Sequence, residues 1–371
     1  MYPGKYAEQN PDRSAFVMAA TGERVSYQEF EARSNRVAHY LADKGLGFQD
    51  HYSIFMENNN RYLESCAAGE RSGLYFTCIN SFLTSDELAY IINNSESQIL
   101  ITSMSKLEAA QEALAQCTAI KEVLVVGAGD ADLPEGMSDF ASTLSKYPET
   151  PLERELLGAA MLYSSGTTGR PKGIVRPLPE QSPNEPLPVI GFLSGLWRYR
   201  EDMIYLSPAP LYHSAPQAAV GLTLRMGGTV VIMERFDPAD YLRFVEEYQV
   251  SHSQLVPTMF SRMLKMPEED RTKYDLSSLE VAVHAAAPCP VLVKQQMIDW
   301  WGPIIHEYYG ATEGLGFAAC DSAEWLAHPG TVGKIVLGEL SVLDDDMQPM
   351  PKGEPGTLWF KSASEFSYHN D

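Results

Sequence analysis

Residues 163–173 read Tyr-Ser-Ser-Gly-Thr-Thr-Gly-Arg-Pro-Lys-Gly, which places three glycines, four aliphatic hydroxyls and two cations within eleven positions. Glycines let such a loop turn its backbone N–H groups toward an anion, hydroxyls add donors, and Arg170 and Lys172 add positive charge. The chemistry that fits is a grip on polyphosphate. The spacing from Gly166 to Lys172, with Pro171 intervening, is not that of the GxxxxGK[ST] loop. A plain surface linker is the alternative. Leu156 to Leu162, just upstream, is mostly apolar and predicts the end of a buried strand, which argues against a linker.

The elements that must carry this loop follow from periodicity. The chain has 371 residues and is 44% hydrophobic, enough for two or more subdomains. Ser26 to Gly45 is helical in period, with Tyr27, Phe30, Val37, Tyr40 and Leu41 on one stripe. His51 to Glu57 predicts a strand, 60–73 a helix, and 74–79 a strand. Thr84 and Glu87 have capping-box spacing ahead of Leu88, Ile91 and Ile92. Strands at 98–102 and 122–127 flank a helix at 105–117. Residues 128–155 are acidic and turn-rich and predict a surface connection. Five prolines between Arg176 and Pro188 exclude a regular helix or central strand there. Alternating strands and helices resume from Met203 to Tyr308. From Gly330 the pattern turns to hairpin-like strands at 333–336, 339–343 and 357–360. The expected class is α/β, with two stacked α/β subdomains of mostly parallel sheets and the start of a β-rich subdomain. The expected boundaries are 1–160, 161–329 and 330–371.

Composition sets the class of partner. The formal charge is −21, which disfavours a general nucleic-acid binder and requires any phosphate site to act locally. Five scattered cysteines without a CxxC pair suit reduced thiols better than a disulfide framework or a zinc site. No apolar run approaches the ~20 residues of a membrane span, and residues 1–16 lack the apolar core of a secretory signal. The expected location is the cytoplasm.

Read together, the motifs resemble those of the acyl-adenylate-forming ligase superfamily, with its fatty-acyl and aryl–coenzyme A ligases. Residues 163–173 match its phosphate loop, and Tyr309-Gly-Ala-Thr-Glu313 its second hallmark. Leu211-Tyr-His-Ser-Ala-Pro216, Val256-Pro-Thr258, Ala285-Ala-Ala-Pro288 and Gly330-Thr-Val-Gly333 fall in the expected order. The resemblance implies that a carboxylate attacks the α-phosphate of ATP, giving an acyl-adenylate and pyrophosphate, and that a thiol, usually coenzyme A, then takes the acyl group.

By resemblance, Ser164, Ser165, Gly166, Thr167, Thr168 and Gly169 wrap the β- and γ-phosphates, with Lys172 adding charge. Tyr309 lies on the adenine face, beside Tyr308 and Gly310–Ala311, and Ala285, Ala286 and Ala287 line the other side of the base. Which of Tyr308 and Tyr309 is the buried ring stays open, and alanines stand where the family's segment is glycine-rich. Thr312 bonds the α-phosphate and Glu313 holds Mg²⁺, a hard cation that prefers oxygen ligands. His213 stands between the carboxylate pocket and the thiol tunnel; a local cap is its alternative. The acyl pocket is expected at Trp197, His213, Ala218, Gly221, Ala285, Leu315, Gly316 and Phe317, although small residues there also suit close helix packing. A fatty, steroid-like or aromatic acid fits better than an amino acid, since no acidic partner for an ammonium is evident.

The family's ribose-binding aspartate, its hinge and its C-terminal lysine are not found within these residues. The chain therefore reads as an N-terminal portion that keeps the ATP and acyl sites but turns over poorly alone. The expected partners are a small carboxylate, ATP and coenzyme A, with no nucleic acid and no membrane span; a homodimer is left open. A non-catalytic nucleotide- or acyl-binding module is the alternative, and an unrelated kinase is disfavoured because no true P-loop is present.

Overall fold

The structure is a computed structural model, and it describes residues 1–164, 170–362 and 365–370. The chain divides into two compact units, Met1–Phe236 with Ser367–Asp371, and Asp237–Phe366.

In the first unit, six described strands run parallel in the order Met137–Asp139, Glu122–Val126, Ile99–Ser103, His51–Phe55, Tyr75–Cys78 and Ala159–Ala160. The central strand Ile99–Ser103 is buried along its whole length, as a parallel strand covered on both faces must be. Its helices begin where the sequence offers caps. Ser26 and Thr84 each complete a capping box, with Glu29 and Glu87, ahead of Tyr27–Asp43 and Ser85–Asn94. Tyr62–Ser72 ends on Gly73 in the left-handed region, at φ +68°. Ile204–Ser207, Thr229–Ile232 and Ser14–Met18 form a second parallel set, with Arg24–Ser26 antiparallel beside Ser14–Met18. Leu162–Ser164, Lys172–Val175 and Ser367–Tyr368 make a small antiparallel sheet.

In the second unit, His252–Leu255, Val281–His284 and Ile305–Gly310 are parallel. Phe317–Cys320 and Lys334–Leu337 continue them antiparallel. Glu339–Leu343 and Thr357–Lys361 pair as a separate hairpin. Pro238–Glu247 starts at an Asp237 cap with proline in its first turn, which suits a residue lacking an N–H.

Residues 128–155 are more than a connection. They hold the strand Met137–Asp139 and the short helix Phe140–Leu144, whose Phe140 and Leu144 are buried. Polar Ser138 and Asp139 break the apolar alternation, so only the tertiary pairing with Glu122–Val126 reveals that strand. The proline-rich segment is tied down. The Gln181 carbonyl accepts from the Leu157 N–H, and the Pro183 carbonyl accepts from Arg225. A helix, Pro188–Trp197, follows it directly.

Candidate functional site

The phosphate-loop candidate grows from a hairpin. Leu162–Ser164 pairs antiparallel with Lys172–Val175, and the register sets Ser164 directly opposite Lys172. The two ends of the glycine-rich stretch are thus pinned side by side. Residues 165–169, which include Ser165, Gly166, Thr167, Thr168 and Gly169, lie outside the described residues. The stem is anchored from several sides. The Tyr163 hydroxyl donates to Asn94 Oδ1 at 2.5 Å, and the Tyr90 hydroxyl donates to the Pro171 carbonyl at 3.0 Å. The Arg170 guanidinium lies 5.0 Å from the Tyr90 ring centre, and the Lys172 ammonium 4.9 Å from that of Tyr368. Both cations of the motif are therefore seated on aromatic faces, which limits their wandering.

His213 caps the start of the helix Ser214–Arg225 without a side-chain cap bond. Its ring is exposed and tilted against Tyr212 at 4.4 Å between centres. Partial removal of the ring from water lowers its pKa, although the residue as a whole is exposed, and this favours the neutral form. The turn before it is fixed by Asn58. This buried amide donates to the Ala209 carbonyl at 3.2 Å and the Met233 carbonyl at 2.9 Å, and accepts from the Leu211 N–H at 2.9 Å. Sequence reading passed over Asn58, because a lone asparagine beside Asn59 and Asn60 resembles a turn. Of the acyl candidates in this unit, Trp197 is buried, Ala218 is exposed, and buried Gly221 faces Met1, whose Cγ would lie 3.4 Å from an added Cβ.

The second unit carries the base-side candidates on two adjacent parallel strands. Ala285, Ala286 and Ala287 follow Val281–His284, with Ala285 buried and the next two exposed. Ala286 has φ +73°, a left-handed conformation that favours glycine. Tyr308, Tyr309 and Gly310 close the strand Ile305–Gly310. Tyr308 is the inner ring: Gln254 Nε2 donates to its hydroxyl at 2.8 Å, and Phe317 stacks on it at 4.8 Å. Tyr309 is the outer ring, 43% exposed, with Phe360 stacked at 5.9 Å. Ala311 to Gly314 forms a turn closed by the Gly314 N–H to the Ala311 carbonyl at 3.0 Å, with Gly314 at φ +73°. That turn holds half-buried Thr312 and Glu313 on adjacent positions. Leu315 and Phe317 are half-buried, and buried Gly316 is pressed against Phe360, where an added Cβ would meet Cδ1 at 1.9 Å.

Among the described residues, no group of three or more His, Cys, Asp or Glu side chains could by itself hold a metal. Glu313 offers a single carboxylate beside a hydroxyl. That donor set fits Mg²⁺, which binds through one or two carboxylates, substrate phosphates and retained waters. No helix among the described residues is long and apolar enough to cross a membrane. The five cysteines are free thiols.

The model of one family, described as AMP-binding enzyme, matches residues 5–367. The chain belongs to this family. It is 28% identical over 282 residues to 4-coumarate–CoA ligase 1 of Petroselinum crispum, covering 75% of this chain and 50% of that protein. It is also 28% identical to 3-oxocholest-4-en-26-oate–CoA ligase of Rhodococcus rhodochrous, covering 94% of this chain and 65% of that one. The chain thus spans about half to two thirds of the length of these curated relatives. The inhibitor-bound N-terminal domain of FACL13 from Mycobacterium tuberculosis has the same fold, with a TM-score of 0.81, 22% identity, and coverage of 100% of this chain and 90% of that one.

Proposed function

We propose that this AMP-binding enzyme serves ATP-dependent activation of a hydrophobic carboxylate as an acyl-adenylate, followed by transfer of the acyl group to the thiol of coenzyme A. The observation that carries the reading is the hairpin that fixes Ser164 opposite Lys172 at the mouth of a Ser/Thr/Gly loop, in a chain matched along nearly its whole length by the family model. The relatives named above act on an aromatic and a steroid-derived acid, which supports a bulky apolar acid here, of aromatic, steroid-like or fatty type.

In this reading the loop and Lys172 hold the β- and γ-phosphates. Tyr309 offers its ring to the base, Ala285–Ala287 flank it, and Thr312 donates to the α-phosphate. Bringing two anions together requires donors already aimed at the oxygen on which charge grows. Glu313 would hold Mg²⁺, which supplies charge neutralisation at the phosphates. His213, neutral and exposed at its helix start, would contact the carboxylate and partition it from the thiol. The cytoplasm, where thiols stay reduced, suits five free cysteines.

The test is binding and exchange together. The chain should bind ATP and a non-hydrolysable acyl-adenylate analogue by calorimetry, and should show carboxylate-dependent ATP–pyrophosphate exchange with at least one acid of an aromatic, steroid and fatty panel. Lys172→Ala should weaken ATP binding roughly tenfold or more, since a charge-assisted bond is worth about 1.5–3 kcal/mol. It should leave affinity for the free acid unchanged. Equal ATP affinity in variant and parent would remove Lys172 from the site; absence of any nucleotide binding by the parent would remove the function.

A further inference from the structure

Beneath the base-side strands lies a buried ion pair that the proposed reaction does not use. Glu307 sits on Ile305–Gly310, two residues before Tyr309. Its register partners are His284 on one side, the residue directly before Ala285, and Cys320 on the other. Lys294, from the helix Val291–Trp301, is fully buried, and its Nζ lies 2.5 Å from Glu307 Oε2. The same ammonium is 4.0 Å from Cys320 Sγ and 5.1 Å from the Trp325 ring centre. His284 Nε2 is 3.4 Å from Glu307 Oε2, too long for a well-formed hydrogen bond, and its ring meets Phe260 edge-on at 5.4 Å. Burial first, and then the Lys294 charge, push the His284 pKa down to about 3, so the ring stays neutral. The site therefore holds one ammonium and one carboxylate in dry surroundings.

Burying such a pair brings little net stability, because desolvating both charges offsets their attraction. It does bring geometry. Lys294 reaches Glu307 Oε2 at 2.5 Å from a fully buried side chain, whereas Cys320 Sγ is 4.0 Å away. The pair thereby fixes the helix Val291–Trp301 against the strand Ile305–Gly310 that carries Tyr309, at the point where the neighbouring strand runs into Ala285–Ala287. We propose that the Lys294–Glu307 pair is a positioning device that sets the spacing of the two base-binding segments; it rests on the proposed nucleotide site. Neither residue touches the nucleotide in this reading, and both act through Tyr309 and Ala286.

The test separates positioning from bulk stability. Lys294→Met combined with Glu307→Met removes both charges at similar volume. We expect a folded protein with an unfolding midpoint near that of the parent, an AMP affinity lowered about tenfold by a loosened site, and an affinity for pyrophosphate within about twofold of the parent's. Glu307→Asp is the companion variant. It keeps both charges but shortens the carboxylate arm, and should lower AMP affinity several-fold while sparing pyrophosphate. It supplies the readout should the double variant fail to fold. Parental AMP affinity in a folded variant would overturn the proposal, as would parallel loss of AMP and pyrophosphate binding. A parent that binds neither ligand would overturn the proposed function, and this inference with it.

Discussion

Ala286 occupies a conformation at φ +73° that an L-residue with a Cβ enters at a cost of roughly 1–2 kcal/mol. Glycine enters it freely but gives back part of the gain through a more flexible unfolded chain. Ala286→Gly should therefore raise the urea midpoint, with a net gain up to about 1 kcal/mol; a fall would show that the alanine methyl makes a contact worth more than the strain. Glu64 makes a different residue-level prediction. It is buried, and burial raises its pKa to about 7 although Arg61 and Arg33 pull the other way. The folded state thus binds this proton more tightly than the unfolded chain. Stability from this group is complete below about 4.5 and is lost as pH rises through about 7. Between pH 8 and pH 5 the parent should gain on the order of 3 kcal/mol relative to Glu64→Gln, read by denaturant titration at each pH. A flat difference would mean that the arginines neutralise the carboxylate fully. Sequence could not have singled out either residue. Ala286 looks like one alanine of three, and Glu64 like a solvent-facing glutamate in the first turn of a helix. The two tyrosines were legible as a pair, but which ring faces inward depends on Gln254, fifty-four residues earlier.

Elements were legible where local chemistry and tertiary packing agree. Ser26 and Thr84 start their helices because cap, reciprocal glutamate and apolar stripe lie within a few residues of each other. Phe317–Cys320 was not foreseen, since Phe-Ala-Ala-Cys has no alternation and becomes a strand only through pairing on both edges. The pair Lys294–Glu307 was invisible for the same reason: a helix and a strand meet through register, not spacing. Close approach of elements gives a prediction of its own. Gly158 leads into Ala159–Ala160, where an added Cβ would sit 2.1 Å from the Gly69 carbonyl oxygen of the helix Tyr62–Ser72. Backbone cannot rotate away as a side chain can, so Gly158→Ala should destabilise by about 2 kcal/mol or more. Gly191 is the control. It lies in Pro188–Trp197 with nothing within 4 Å of an added Cβ. Gly191→Ala should stabilise by up to about 1 kcal/mol through helix propensity. Thermal unfolding of the two variants checks both signs at once.

At the scale of the molecule, the proposed function asks a chain of formal charge −21 to hold a polyanion. Arg170 and Lys172 act over a few ångströms, while the net field acts over tens. Salt screens the long-range part first. The association rate of ATP should therefore rise as ionic strength increases from about 0.01 to 0.15 M, where the Debye length shrinks from about 30 to 8 Å. Stopped-flow measurement with a fluorescent ATP analogue reads this directly, and a falling rate would mean that the local cations dominate approach. The overall class, α/β with mostly parallel strands, was legible because strand and helix periods alternate over long stretches. The small sheet completed by Ser367–Tyr368 was not, since its partner strand lies far back in the chain.

That return has a consequence for synthesis. Ser367 and Tyr368 pair with Val175 and Ile174, and the His369 N–H donates to the Gly173 carbonyl at 2.8 Å. On the ribosome, Lys172–Val175 emerges long before its third strand. At about 5–20 residues per second, the stretch from Val175 to Ser367 takes roughly ten to forty seconds to translate. Throughout that interval the edge of the hairpin that carries the candidate phosphate loop is open to pairing with another nascent chain, and the Tyr368 ring that seats Lys172 is not yet made. The stem of the proposed phosphate grip is therefore complete only once residue 368 has been made, and a ribosome stalled short of residue 367 would carry that hairpin with one sticky edge.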